Sequence, residues 1–460
     1  MKITTSYTVP LKSQLYTRRL TDGRMETSLR SVNDSLMRST AAVCLEALKL
    51  CVDIFLGEWD YLKTFPSVPE KDVMHKKRAA DLLIHGTKDN TAKYPKFDER
   101  FPRFPSYMRR AVTADALGIV SSYISNHDNW ETLSPTERGD EPMLGIPARY
   151  ELTFYKQDRD MCSFKKGIIG LRLYSGKEWD WYYFKISLSD VKYISAMRAG
   201  RKMLSPTVEK CRGRYMVRFS FEETKVLVSD KHPKKYRILA VDLGINAAAS
   251  WCVMEGDGTV HAKGIIHLTC DEDRLLHSIN RKRMYQQAGK KSRSVYRMVR
   301  NANERLSVDT TRKLMEIAVL YNTNCIVFEH LDRNGRINGR NYRERIHMWR
   351  AIDVQKRVEL QAHRHGMRIS RVCAWGTSKY AFDGSGTVAR GKEAGADSYS
   401  ICRFQNGKIY NCDLSAAMNI GARFFLRIMA KSDDGLELPK TTQRTYSTLV
   451  EVLSKTKEAA

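Results

Sequence analysis

Three acidic residues occupy positions where a carboxylate is unusual. Asp242 ends the apolar run ILAV, Glu329 ends the apolar run IVF, and Asp413 begins a helical pattern with its apolar residues on one face. A carboxylate at the end of a buried strand is costly unless it is paired or binds a cation. Two divalent ions about 3.5–4 Å apart, held by such carboxylates, hydrolyse phosphodiesters. The sequence therefore predicts a Mg²⁺ or Mn²⁺ site at Asp242, Glu329 and Asp413, for which Cys or His ligands are not required.

Each of these residues also has a simpler explanation. Asp413 alone is the kind of residue that caps a helix N-terminus. Glu329 alone could be a surface charge at a strand end. Asp242, in LAVDLG, could belong to a sugar-kinase fold, which shares the opening strand and glycine. The three together, in this order, favour the metal site.

The elements around these residues have a recognisable order. Three strands begin at Arg237 (RILAVDLG, ASWCVME and TVHAKGIIH), and a helical stretch follows over about 271–321. Strand CIVFEHL, a helix over about 341–366, strand MRISRVC and a helix from Asp413 complete the series. Alternating strands and helices of this kind predict an α/β unit, here with the order of an RNase H-like fold.

The N-terminal half has a different pattern. Its first fifteen residues predict a strand, and a three-four-seven apolar spacing predicts a helix from Glu26 through Val43. A second helix follows Pro105. From Tyr150 to about Ser229, alternating segments such as YMVRFSF predict antiparallel strands of a small barrel or sandwich. The sequence thus predicts one β domain, interrupted by helices, in an α+β multidomain chain.

Composition indicates the kind of partner. The chain has 78 Lys and Arg against 52 Asp and Glu, a net charge of +26, which favours a polyanion such as nucleic acid. A ribosome-associated or merely basic protein is the alternative. The ten Cys form no CxxC pair, which favours a reducing cytosol. The most apolar segment, 41–56, contains three charged residues, so we expect no membrane span, and the start MKITTSYTVP predicts no signal peptide.

Two basic segments are candidate nucleic-acid contacts. In the first, 93–110, Lys and Arg residues alternate with aromatic residues. Such a pattern suits stacking of the aromatic rings on nucleobases and pairing of the basic side chains with phosphates. The alternative is that the aromatic residues pack in a helical core. The second, 281–305, holds nine Lys or Arg and one Glu, which would repel one another on a simple solvated face. The candidate residues are Arg100, Arg103, Arg109, Arg110, Arg281, Lys282, Arg283, Lys290, Lys291, Arg293, Arg297 and Arg300.

The three acidic motifs resemble those of a known family. ILAVDLGIN, IVFEHL and NCDLSAAMNIGAR are similar to the RuvC motifs of the transposon-encoded TnpB nucleases and the miniature type V CRISPR effectors. The segment SYMRRAVTADALGIVSSYISNHDNW, the β region and the length also fit, so the resemblance covers residues 1 to about 430. It implies a guide RNA, a double-stranded DNA target beside a short adjacent motif, and cleavage of both strands at one RuvC site.

The resemblance also implies a division of the chain into domains. Residues 1–20 and 135–232 would form a β-barrel wedge domain, and 21–134 a helical recognition domain. Residues 233–372 and 413–431 would form the nuclease, with its basic helices lining the guide–target heteroduplex. Residues 373–412 correspond to a zinc ribbon, and 432–460 are a polar tail that we expect to be peripheral.

The ribbon departs from the family pattern. Where its CxxC pairs should stand, the chain has Ala381 and Gly384, and then Cys402 followed by Gln405. Cys373 and Cys412 remain, but they lack the spacing of a tetrahedral zinc site. The sequence therefore predicts a degenerate ribbon without zinc.

The leading hypothesis is an RNA-guided DNA endonuclease of the prokaryotic cytoplasm and nucleoid, either monomeric or homodimeric. One alternative is an RNA-guided DNA-binding protein with little or no cutting. Retention of all three carboxylates argues against it. Another is a guide-free, structure-specific resolvase, which the large basic N-terminal half disfavours.

Overall fold

A computed structural model describes residues 1–19, 25–67, 73–153, 167–211, 213–229, 231–244, 247–331, 351–395, 398–432 and 436–458. The chain forms two compact units, Lys2–Glu223 and Thr224–Ala460, the second including Met1. Both combine helices and sheets, so the predicted α+β multidomain class is confirmed.

The first unit contains two sheets. Their strands are β1 Lys2–Pro10, β2 Ser13–Arg19, β3 Met25–Arg30, β4 Leu152–Thr153, β5 Ile168–Tyr174, β6 Trp179–Lys185, β7 Lys202–Met203, β8 Thr207–Cys211 and β9 Arg214–Thr224. The sheet orders are β1-β9-β8-β4, with β7 beside β9, and β3-β2-β6-β5. The strands β1–β3 thus join sheets whose other strands lie beyond residue 150, and the chain leaves the β region to form helices before it returns.

The first helix of this unit begins later than predicted, whereas the helix predicted after Pro105 begins at Ser106. The helix expected from Glu26 is wrong for residues 26–30. They belong to β3, in which Leu29 pairs opposite Leu15 of β2. The first helix starts at Asp34, where the Asn33 side chain accepts two backbone N–H groups. The helices are α1 Asp34–Gly57, α2 Trp59–Leu62, α3 Lys76–Ile84, α4 Lys96–Arg100, α5 Ser106–Thr132 and α6 Leu188–Arg198.

The second unit is built on a five-stranded sheet and its helices. In chain order these elements are β10 Arg237–Asp242, β11 Ala249–Glu255, β12 Val260–Ile266, α7 Thr269–Gln287, α8 Arg293–Leu320, β13 Cys325–His330, α9 Ala351–Arg364, β14 Arg368–Cys373 and α10 Cys412–Ser432. The predicted order of strands and helices is confirmed. The sheet has the order β12-β11-β10-β13-β14, in which β12, β11 and β10 are antiparallel, whereas β10, β13 and β14 are parallel.

Two helix predictions in this unit need adjustment. The helical stretch expected over about 271–321 consists of two helices, because the chain turns at Gly289, whose φ of 68° favours glycine. The helix expected from 341 is described from Ala351; its first ten predicted residues lie outside the described part of the chain.

The central sheet is covered on both faces. Ile238 and Ala240 of β10 pack in the core that contains α10, whereas Leu239 and Val241 pack in the core that contains α8 and α9. Helix α10 lies close to the sheet, since a Cβ on Gly421 would be 3.3 Å from the Ala240 Cβ. Strand residues alternate between faces, so Asp242 continues the series facing α10.

The remaining elements follow β14. A small sheet of order β15-β16-β17 is formed by Ala389–Arg390, Ile401–Arg403 and Ile409–Asn411. Helix α11, Tyr446–Glu458, ends the described chain. The expectation of a peripheral tail is wrong for this helix, because Leu449 is fully buried with α10 and the Tyr446 hydroxyl donates to the Gly258 carbonyl at 2.7 Å. Among the described residues, we find no helix both long and apolar enough to cross a membrane.

Candidate metal centre

The register of two parallel strands brings Asp242 beside Glu329. Val241 of β10 lies opposite Phe328 of β13, and the next residues along each strand are the two acids. Neighbouring strands lie about 4.8 Å apart. Cys325 and Val327 of β13 face α10, so Glu329 continues the series on that face. Both carboxylates therefore lie at the carboxyl ends of adjacent strands, on the side of the sheet that α10 covers.

The third acid comes from the N-terminus of α10. Asp413 is the second residue of that helix, and the Asn411 side chain accepts the N–H groups of Asp413 and Leu414, both at 3.0 Å. Asn411 therefore caps the helix, and the alternative that Asp413 is the cap is wrong. The negative charge of the Asp413 carboxylate is instead one of the causes that raise the pKa of Asp242.

The electrostatics show that negative charge is concentrated here. Burial, together with the carboxylates of Glu329 and Asp413, raises the pKa of Asp242 well above its ordinary range, and the Arg390 guanidinium opposes this rise. Burial also raises the pKa of Glu329, against the hydrogen bond from Thr377 and the charge of Arg423. Carboxylates that repel one another in this way bind divalent cations, whose charge relieves the repulsion.

The surroundings of Asp242 fit such an ion. Ser250 of β11 lies directly opposite Asp242, and its buried hydroxyl has no hydrogen-bond partner among the described residues. A buried hydroxyl without a partner is costly, and a water bound to a metal could satisfy it. The ligand atoms of the three acids do not all lie within 4.8 Å of one another.

Glu329 is held from two sides. The Gln355 side chain of α9 donates to the Glu329 carbonyl at 2.9 Å, and the Thr377 hydroxyl donates to the Glu329 carboxylate. Sequence reasoning did not identify Thr377, Ser250 or Arg390. The hairpin register of β10 and β11 could have indicated Ser250, but Thr377 and Arg390 come from an irregular stretch with no periodic pattern.

The basic residues predicted near α4 and α5 divide into two groups. Arg100, Arg103 and Arg110 are exposed, and Arg100 pairs with Glu46 at 3.0 Å. Arg109 is different: only 7% of it is exposed, and its Nε lies 2.8 Å from Asp81. The prediction that Arg109 contacts nucleic acid is wrong for this fold, since a buried guanidinium in an ion pair is part of the core.

The aromatic residues of the same segment follow the alternative reading. Phe97, Phe101 and Phe104 are buried and contact one another, with ring centroids 5.2–5.9 Å apart. Tyr107 is buried as well. These rings form the helical core of the first unit and offer no stacking surface for bases.

The basic segment 281–305 lies on α7, on α8 and on the turn between them. Seven of the eight candidate contact residues in this segment have exposed side chains, and Lys282 is half-buried. The exposed residues are Arg281, Arg283, Lys290, Lys291, Arg293, Arg297 and Arg300. Between the two helices a cavity of about 580 Å³ is lined by residues that include Arg274, His277, Arg297 and Arg305.

The ribbon region has an apolar core of its own. Cys402 and Cys412 are buried with Ala381 and Phe404, and the Phe382 ring lies 5.8 Å from Phe404. Burial raises the pKa of the Cys412 thiol to about 12 and also raises that of Cys402. Burial therefore favours the protonated form of both thiols as long as no metal ion is bound. The absence of zinc stays a prediction.

Comparison with known proteins gives structural likenesses of low identity. The Cas12f1–sgRNA–target DNA complex is 10% identical, with 98% of this chain and 99% of that chain covered and a TM-score of 0.48. A CRISPR–Cas12f ternary complex is 11% identical, with 84% of this chain and 80% of that chain covered and a TM-score of 0.30. C2c1 of Alicyclobacillus acidoterrestris with single-guide RNA is 10% identical, with 81% of this chain and 65% of that chain covered and a TM-score of 0.37. These are type V CRISPR effectors.

Type V effectors are also the group that the sequence motifs resemble. The chain matches the Aq_aa04 family over residues 25–175. No curated protein matches it.

Proposed function

We propose that this chain is an RNA-guided DNA endonuclease whose second unit is an RNase H-like, RuvC-type nuclease. The observation that carries the proposal is the convergence of Asp242, Glu329 and Asp413 on the face of the sheet covered by α10. The sheet order, with three antiparallel strands followed by two parallel ones, supports the RNase H-like assignment. The guide RNA and the DNA target are part of the proposal because the three acidic motifs resemble the RuvC motifs of RNA-guided nucleases.

The three acids share one role in this proposal. Asp242, Glu329 and Asp413 would together hold the metal ions through their carboxylates. Mg²⁺ or Mn²⁺, when bound, supplies activation of water and neutralises charge on the leaving oxygen. Arg390, whose charge acts on Asp242, would attract the phosphate that approaches the carboxylates. The Ser250 hydroxyl would hold a water molecule beside Asp242.

The guide RNA and the target DNA would bind to exposed Lys and Arg side chains. We assign the guide–target heteroduplex to the exposed Lys and Arg of α7 and α8, because neutralising phosphates releases counterions and stabilises the complex. The wedge domain (1–20 and 135–232) and the recognition domain (21–134) would read the adjacent motif, with Arg100, Arg103 and Arg110 as candidate contacts. The ribbon (373–412) would lie beside the nuclease without zinc.

The first test identifies the RNA. Protein purified from its native host should copurify with one defined RNA that has a constant scaffold and a variable segment of about twenty nucleotides. The reconstituted complex should then cut a plasmid that matches the variable segment beside a short fixed motif. Plasmids with a scrambled match or a scrambled motif are the controls.

Three outcomes separate the candidate functions. Cutting of the matched plasmid alone supports the proposal. Specific binding of that plasmid without cutting would instead indicate a guided DNA-binding protein. Equal cutting of all plasmids by RNA-free protein would contradict the guided reading and indicate a resolvase.

A further inference from the structure

The loop after β14 reaches back to the metal centre through one hydroxyl. Thr377 is buried, and its Oγ1 contacts the Oε1 atom of Glu329 and lies 2.9 Å from the Ala374 carbonyl. A hydroxyl has one proton to donate, and a charged acceptor forms the stronger hydrogen bond. The carboxylate of Glu329 is therefore the acceptor that fixes the hydroxyl, and the hydroxyl in turn fixes the orientation of that carboxylate.

Helix α10 holds this loop in place. Asn419 and Arg423 are four residues apart and therefore share a face of the helix; both are buried. The Asn419 amide donates to the carbonyls of Thr377 and Tyr380, both at 2.9 Å. The Arg423 Nη1 atom donates to the carbonyls of Cys373 and Trp375, at 2.7 and 2.9 Å. The helix that supplies Asp413 thus also sets the backbone that supplies Thr377.

The C-terminal segment completes the arrangement. The other donors of Arg423 bind the carbonyls of Thr442 and Arg444, at 2.8 and 3.2 Å. The Asn419 side-chain oxygen accepts the Tyr446 N–H at 3.1 Å. A buried guanidinium with four carbonyl acceptors fixes the position of every backbone it contacts. The loop is therefore held between α10 and residues 442–446.

We propose that Thr377 is a positioning residue for Glu329, and that Asn419 and Arg423, together with residues 442–446, form a clamp that keeps the Thr377 loop at the metal centre. The proposal rests on the nuclease function proposed above and adds the C-terminal segment to that site. Groups that hydrogen-bond to metal ligands set the orientation of those ligands, and their loss typically lowers metal affinity or activity about 10–100-fold.

The test measures metal binding directly. Mn²⁺ binding to the full-length protein, followed by electron paramagnetic resonance of the free ion, should weaken by roughly 10-fold or more in Thr377→Val, which keeps the shape but loses the hydroxyl. Thr377→Ser keeps the hydroxyl and should bind nearly as wild type does. Thr387→Val is the matched control, since the Thr387 hydroxyl contacts Gln405 at 3.3 Å within the ribbon.

A double-variant cycle separates positioning from general damage. If Thr377 acts through Glu329, Thr377→Val should add no further loss of Mn²⁺ affinity in a Glu329→Gln background. A second perturbation uses Gly376, whose φ is 79° and whose added Cβ would lie 2.6 Å from the Thr442 carbonyl. Gly376→Ala should push the loop away from residues 442–446 and weaken Mn²⁺ binding in the same direction.

The outcomes distinguish this inference from the function beneath it. Wild-type binding of Mn²⁺ by both Thr377→Val and Gly376→Ala would overturn the clamp and leave the nuclease proposal standing. Equal loss from Thr377→Val in both backgrounds would overturn the path through Glu329. A wild-type protein that neither binds Mn²⁺ nor cuts guided DNA would overturn both proposals.

Discussion

Replacement of Arg109 tests whether this residue belongs to the core. Arg109 and Asp81 form an ion pair at 2.8 Å, with about a tenth of each side chain exposed. Arg109→Met keeps most of the apolar volume but removes the guanidinium. Of the residues that the structure describes, Arg78 would be the remaining ion-pair partner of Asp81, and its side chain is half exposed and lies 3.6 Å away. The carboxylate would then be buried without an adequate partner.

The expected loss of stability is large. Removing one partner of a buried pair costs about 3–5 kcal/mol, because the remaining charge has lost its hydration without compensation. For a unit of roughly 150–250 residues, each 1 kcal/mol shifts Tm by about 2–4 °C. Arg109→Met should therefore lower the melting temperature of the first unit by roughly 6–20 °C. Differential scanning calorimetry of the full chain measures this shift.

Two comparisons make the test decisive. Arg110→Met changes the exposed neighbour and should leave the melting temperature within about 1–2 °C of wild type. The double variant Arg109→Met/Asp81→Leu removes both charges and should recover much of the loss. If Arg109→Met melts as wild type does and instead loses RNA affinity, the assignment of Arg109 to the core is refuted.

Three further predictions concern the second unit. Asp242→Asn should raise the melting temperature of the metal-free protein at pH 7–8. Folding raises the pKa of Asp242, so the ionised carboxylate destabilises the fold as pH rises through that pKa, and a neutral amide removes this cost. Elemental analysis should find well under one zinc per chain, and stoichiometric zinc would contradict the reading of the cysteine environments. Charge reversal of the consecutive α7 residues Arg281, Lys282 and Arg283 should impair guided DNA binding more than charge reversal of the exposed Lys455 does. The DNA affinity of the α7 variant should also depend less on salt than that of the wild type, which a filter-binding titration would detect.

Much of the second unit was predictable because its signals are local. Apolar runs such as ILAV and IVF are long enough to identify buried strands, and each acid follows its run directly. Alternation then gives the face on which the acids lie, provided that the strands are parallel neighbours. The helix from Asp413 was equally clear from its apolar face, although its cap, Asn411, was not recognised.

The parts that sequence reasoning missed depend on contacts distant in the chain. The strand at 25–30 pairs with residues 14–19, and nothing local distinguishes it from a helix start. Arg109 is buried because Asp81, on another helix, meets it there. Thr377 reaches Glu329 across 48 residues through a loop without periodicity. The burial of the C-terminal helix was not predicted, because most of its residues are polar and its apolar face, with Leu449 at the centre, is narrow.

The most direct test of the central claim is the cleavage rate of the guided complex in Mg²⁺ for Asp242→Ala, Glu329→Ala and Asp413→Ala. Each variant should cut a matched plasmid more than about 100-fold more slowly than wild type, since even partners of metal ligands account for about 10–100-fold. RNA binding should be unchanged, and wild-type cutting should stop in chelator. Asp273→Ala, on the exposed side of α7, is the control and should cut normally. Near-wild-type cutting by any one of the three would remove that residue from the metal centre.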